Sequence, residues 1–126
     1  ITELTNAIAY GNAAKAFKIA YYFGESPKQY PLPKTLGFLF FFFWKLEQIH
    51  AYTLQSTRPS LQEAASQAGL YYRTATSYIA AAQRYPLRKT MRIISSLKEC
   101  DMKSKSNSRG SGTERELLIE SLGEIF

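Results

Sequence analysis

The run LGFLFFFFW, from Leu36 to Trp44, constrains this chain more than any other stretch. Nine residues without a polar side chain cannot all face water, and burying each large ring contributes on the order of 1.5–3 kcal/mol. A membrane-spanning helix needs roughly 20 apolar residues. This run stops short and meets Lys45, Glu47, Gln48 and His50, so it reads as a buried helix and not as a membrane anchor. Apolar all round in its first half, it suits the centre of a helical bundle. Phe40, Phe41, Phe43 and Trp44 are therefore expected to be largely buried, within the domain or at a contact with another subunit.

Helical punctuation runs through the rest of the chain, and strand alternation is scarce. Thr2 to Tyr10 puts Leu4 and Ile8 on one face, Gly11 suits the exit, and Asn12 suits the N-cap of a second helix. That helix is expected to reach about Phe23, with Phe17, Ala20 and Tyr21 inward and Gly24 at its end. Residues 25 to 32 read as a proline-marked loop, and Pro33 suits the first position of a third helix from about Lys34 to Leu54. Ser60-x-x-Glu63 is a capping box opening a short fourth helix that Gly69 closes. A fifth spans Tyr72 to Arg84, and Pro86 starts a sixth that reaches about Ser104. After a polar, glycine-containing loop, Thr113-x-x-Glu116 opens a last helix whose apolar side is Leu117, Leu118, Leu122, Ile125 and Phe126. The expected fold is all-α, a single bundle of six to seven helices. At 126 residues, all of the chain fits one domain.

Plotted at 100° per residue, the sixth helix gathers Leu87, Met91, Ile94, Leu97 and Cys100 on one broad side. Arg88, Lys89, Arg92 and Lys103 gather on the other, with Glu99 among them. Asp101 falls inside the apolar side. Burying that carboxylate alone is costly, so it needs a partner or a place at the wet margin. Arg84, Lys45 and a neighbouring helix terminus are the partners the sequence offers.

Little in the sequence points to catalysis. It holds no Gly-x-x-x-x-Gly-Lys phosphate loop, no dinucleotide fingerprint and no Gly-x-Ser-x-Gly elbow. With one cysteine and one histidine, there is neither an internal disulfide nor a Cys- or His-built metal site to expect. His50 and Glu47 could be drawn as an acid–base couple, but catalysis needs convergent groups and these read as helix-flank residues. Cys100 reads as a small core residue. The expectation is no catalytic residue, no cofactor and no metal.

Charge is more informative. Lysine and arginine number 16 against 10 acids, a net charge of +6. Between Arg73 and Lys98 there are six bases and no acid, while the stretch from Gly110 onward is net −3. Within the wider stretch from Arg58 to Arg109, which holds ten bases and three acids, Leu61, Ala65, Gly69, Leu70, Ala75 and Tyr78 have the spacing of a helix-turn-helix, with Arg73, Thr74, Thr76 and Ser77 early in its second helix. A helix-turn-helix DNA-binding domain is thus one reading. Two short helices packed around a glycine corner give the same spacing without DNA. Tyr71, Tyr78 and Tyr85 recur every seven residues, which suits packing at a bundle edge or a subunit contact.

A different reading comes from a resemblance carried by the chain as a whole. The stretch Ala80-Ala81-Ala82-Gln83-Arg84-Tyr85, then Lys89, Arg92-Ile93-Ile94-Ser95-Ser96-Leu97, Asp101-Met102-Lys103-Ser104-Lys105 and Glu116-Leu117-Leu118, resembles the C-terminal domain of the delta subunit of the bacterial DNA polymerase III clamp loader. Leu4 with Ala7-Ile8, Gly11-Asn12, Lys15-Ala16, Ile19, Pro27-Lys28 and the long apolar helix ending near His50 extend the likeness over essentially all 126 residues. Each motif is soft, being mostly core leucines and small residues. Their order over the whole length is what makes the likeness specific.

That resemblance implies a collar domain, which holds the clamp-loader pentamer together by joining its counterparts on the other subunits. It implies that upstream AAA+-like domains, absent from this chain, make the sliding-clamp contact, and that the ATPase resides in other subunits. It implies a cytoplasmic replication protein with no membrane partner. In the family the loop after the sixth helix lies near the primer–template junction. An aromatic that meets the template in some relatives would fall near Ser106, where this chain has none. Lys103, Lys105 and Arg109, extended along the helix by Arg88 and Arg92, are the candidate phosphate contacts. Phe40, Phe41, Phe43, Trp44, Tyr78 and Asp101 are the candidate structural or interface residues. A reader of duplex DNA should expose Arg73, Thr74 and Ser77 on one convex basic face. A collar domain should cover much of that helix pair and expose apolar rings.

Overall fold

The computed structural model describes residues 2–55, 57–105 and 114–126. They form seven α-helices and, among the described residues, no strand: α1 (Thr2–Ala9), α2 (Ala13–Glu25), α3 (Leu32–Thr53), α4 (Leu61–Gln67), α5 (Tyr72–Arg84), α6 (Leu87–Lys105) and α7 (Glu114–Ile125). The all-α bundle is as the punctuation predicts. Asn12 caps α2, its side chain accepting from the Lys15 amide at 3.1 Å, and Ser60 accepts from the Glu63 amide at 3.2 Å to open α4. Gly69 takes φ +86° at the corner between α4 and α5, a left-handed conformation that L side chains resist.

Gly24 departs from expectation. It lies inside α2, which runs on to Glu25 and is capped at Ser26. A Cβ on Gly24 would stand 2.5 Å from Cγ of Arg115, so this glycine lets α7 approach rather than stopping the helix. Tyr21, expected inward, is exposed; Ala16, Ala20 and Phe23 take the buried positions. Phe17 is half-buried, its ring 6.0 Å from that of Phe126.

The longest helix, α3, packs most extensively on α6 and also meets α4, α5 and α7; α2 packs on α1 and α7. Leu36, Leu39, Phe42, Phe43, Leu46 and Ile49 are the residues α3 buries from its apolar half onward. Phe43 meets the ring of Tyr85 edge-on at 5.5 Å, a favoured aromatic geometry. The hydroxyl of Tyr85 donates to the carbonyl of Ile8 at 3.4 Å, linking α1 to the end of α5. No described helix is long and apolar enough to cross a membrane.

On α6 the inward residues are Thr90, Ile93, Ile94, Leu97 and Cys100. Met91, expected on that side, is exposed because it falls about 60° outside the arc that these five define. Asp101 does lie within the arc, yet it stays wet. It lines a groove of about 420 Å³ between α3 and α6 with Gly37 and Phe40, and Gly37 contributes no side chain to fill it.

Candidate functional site

Three surfaces carry the residues singled out by the sequence. The first is the outer flank of α3. Phe43 is fully buried and Phe40 half-buried, but Phe41 is 48% exposed and Trp44 40%, and Phe38 joins them at 46%. The expectation that Phe41 and Trp44 are buried within the domain is therefore corrected. The inward arc is already filled by Leu36, Leu39, Phe42, Phe43, Leu46 and Ile49, and these rings fall outside it. Phe38, Phe41 and Trp44 recur every three residues, a band of about 120° over two helical turns. No polar residue in the run marks this arc, so periodicity alone does not reveal it.

Lys45 frames the band. Its ammonium lies 5.8 Å from the Phe41 ring centroid and 5.6 Å from that of Trp44. It also donates to the carbonyl of Ala68 at 2.8 Å. Ala68 is the C-cap of α4, so a cation meets the negative end of a helix dipole there. The ammonium thus fixes the aromatic band relative to α4. Lys45 is committed to that carbonyl and Arg84 lies against Gly11, so neither is the partner of Asp101. That partner is Lys105, one turn on, at 3.1 Å.

The second surface is the basic side of α6. Arg88 and Arg92 are exposed, one turn apart, and line a groove of about 800 Å³ between α6 and α7. Lys103 lines it too, 3.6 Å from Glu120, and Glu99, Glu120 and Glu124 share the lining. The groove is thus of mixed charge. Lys105 belongs to the pair with Asp101 on the other groove. Both lysines are exposed, and surface pairs of this kind contribute about 0–1 kcal/mol, so a phosphate could displace either carboxylate. Arg109 lies outside the described residues, as does Ser106.

The floor of the groove holds Cys100, whose thiol donates to the carbonyl of Leu117 at 3.6 Å. Burial pushes this thiol up from its ordinary pKa, with Ser121 opposing the shift through a hydrogen bond. The thiol is therefore kept protonated and poorly nucleophilic, in keeping with a core role.

The third surface is the α4–α5 pair. Ala64, Ala65, Ala68, Leu70 and Tyr78 are buried, and the corner turns at Gly69. Tyr78 lies 4.7 Å from the Phe42 ring, and burial raises its pKa; it packs in the core of this chain. Arg73, Thr74 and Thr76 are exposed, and Ser77 is half-buried with its hydroxyl donating to the Thr74 carbonyl. The pair is therefore left open at the start of α5, contrary to the covering expected of a collar domain. The face is not basic, however. From Leu61 to Arg84 the chain holds two arginines, Arg73 and Arg84, and one acid, Glu63, and Arg84 lies at the far end of α5 against Gly11.

His50 and Glu47 do not form a couple. His50 Nε2 donates instead to the carbonyl of Tyr85 at 2.8 Å. Among the described residues no three of His, Cys, Asp and Glu are grouped to hold a metal ion. Neither the known protein families, nor the curated proteins, nor the solved structures offer a match to this chain.

Proposed function

We propose that this chain is a helical assembly domain of the clamp-loader collar type, acting as the C-terminal domain of a DNA polymerase III delta subunit in the cytoplasm. The observation that carries the proposal is the band of Phe38, Phe41 and Trp44. Three large rings left half-exposed on one helix face are a feature of surfaces completed by another protein. The order of motifs along the whole chain supplies the name of the assembly. The domain works by association and contributes no catalytic group. DNA enters as primed template in the assembled complex, held by the phosphate contacts of Arg88 and Arg92 and by Lys103, Lys105 and Arg109. The sliding clamp is met only by the upstream domains.

The test is co-purification of the intact subunit with the ATPase subunits. Phe41→Ser with Trp44→Ser should abolish it while the variant remains folded, and undiminished recovery of the complex would sink the proposal. Arg88→Ala with Arg92→Ala in the assembled loader should weaken primed-template binding and flatten its salt dependence, without altering base preference.

A second reading, helix-turn-helix recognition of duplex DNA, draws on the buried Ala65–Leu70–Tyr78 set around Gly69 and the outward Arg73, Thr74 and Thr76. It is disfavoured by charge, since Arg73 is the one cation at the start of α5 and Arg84 is turned to Gly11, so the pair neutralises few phosphates. Arg73→Ala would decide for it by abolishing preference for a defined duplex site.

A further inference from the structure

Lys15, Lys18 and Tyr22 stand at i, i+3 and i+7 on α2, within an arc of about 60°, and all three are exposed. They line a cavity of about 930 Å³ together with Phe23, Tyr30 and Glu3. Tyr30 is stacked on Phe23 at 4.2 Å with the rings nearly parallel, and Tyr22 lies 5.7 Å from Tyr30. Tyr22 is 54% exposed although its neighbours in this ring cluster are not. Among the described residues the ammonium groups of Lys15 and Lys18, like those of Lys28 and Lys34, take part in no ion pair and lie over no ring, whereas those of Lys45, Lys89, Lys98, Lys103 and Lys105 are engaged.

We infer that this cavity is a binding site for single-stranded nucleic acid, in which a base stacks on the Tyr22–Tyr30 cluster and Lys15 and Lys18 hold the adjoining phosphates. Stacking on aromatic rings beside a cationic track is the general mode for unpaired strands. The rise from Lys18 to Tyr22 is about 6 Å along the helix, which places a cation and a ring within reach of one nucleotide. A duplex presents no free base face to such a ring. An acidic peptide would satisfy the lysines but leave the ring cluster without a planar partner. A base suits Glu3, because a carboxylate accepts from an exocyclic amine. None of the residues used by the assembly surface takes part, so the two proposals stand or fall separately.

The experiment is fluorescence anisotropy of a labelled mixed-sequence single-stranded oligonucleotide titrated with the 126-residue chain, with an equal-length duplex and poly-glutamate as competitors. Tyr22→Ala should weaken binding roughly tenfold, and Tyr22→Phe should keep it, as expected for stacking. Lys15→Ala with Lys18→Ala should weaken it further at low salt and reduce the slope of log K against log salt by about 1.4, or about 0.7 for each phosphate. Circular dichroism of each variant separates a lost site from a lost fold; should Tyr22→Ala unfold, the tyrosine-to-phenylalanine and lysine variants still decide. No binding of the single strand, equal competition by duplex or poly-glutamate, or an unchanged affinity in a folded Tyr22→Ala variant would each overturn the proposal.

Discussion

His50 Nε2 and the carbonyl oxygen of Tyr85 lie 2.8 Å apart, and since a carbonyl only accepts, the imidazole must carry its hydrogen on that nitrogen. The oxygen sits between two helices, on the C-cap residue of α5 just before Pro86. The Thr90 hydroxyl donates to the same oxygen at 3.1 Å. Tyr85 is almost wholly buried, so water has little access to this oxygen, which needs protein donors. Either His50→Ala or Thr90→Val should lower stability by about 1 kcal/mol. Made together they should lose more than the two losses added, because only then is the carbonyl left with no partner. Urea denaturation of the two single variants and the double variant measures this; simple additivity would refute the shared-acceptor account.

The apolar run should divide sharply under mutation. Phe43→Ala empties a fully enclosed position and should cost about 3–5 kcal/mol. Phe41→Ala removes a ring that is already half in water, and its cost in the free chain should stay within about 1 kcal/mol. Thermal melts of the two variants compare them directly. Equal losses would mean that the outer face of α3 is covered within the chain.

Burial raises the Tyr85 phenol to about 12 from the ordinary 10, against the opposing pull of the Arg84 charge. Between these values the folded chain keeps a proton that the unfolded chain has lost. The stabilising contribution is thus complete below pH 10 and disappears as pH climbs towards 12, by about 2–3 kcal/mol. Burial of Tyr78 works in the same direction. Tyr85→Phe, which also gives up the bond to Ile8, should show a shallower loss of stability across that window. Denaturation at stepped alkaline pH follows it, and parallel curves for wild type and variant would contradict the assignment.

Gly37 lies within α3 with nothing near the position of an added Cβ. Gly37→Ala should stabilise the chain by about 0.4–1 kcal/mol, mainly by restricting the unfolded state. Its melting temperature should rise, and a fall would show that the space beside Gly37 is occupied in solution.

Element order was legible because helix ends are written in local chemistry: Asn12 and Ser60 accept from the amides of the first turn, and Gly69 supplies a left-handed corner. What could not be read was facing. In α3 the inner and outer arcs are both made of phenylalanine, so Phe41 and Phe43 differ only by the neighbours that the fold brings to them. Gly24 misled for a related reason: a glycine that ends a helix and one that admits another helix look alike until Arg115 is in place. Asp101 found its partner one turn along its own helix, and the groove beside Gly37 gave it water that a plot of angles cannot show.

The approach of α7 to α2 over Gly24 has a consequence for how the chain is made. Phe17 meets Phe126 and Gly24 meets Arg115, at the two ends of a helix that begins at Glu114. A ribosome releases α1 and α2 long before it has synthesised that helix. The early pair must therefore wait with an apolar side unfilled, and its final packing is a late event in biosynthesis. Nascent chains halted before residue 114 should present this side to chaperones, and those extended through α7 should withdraw it.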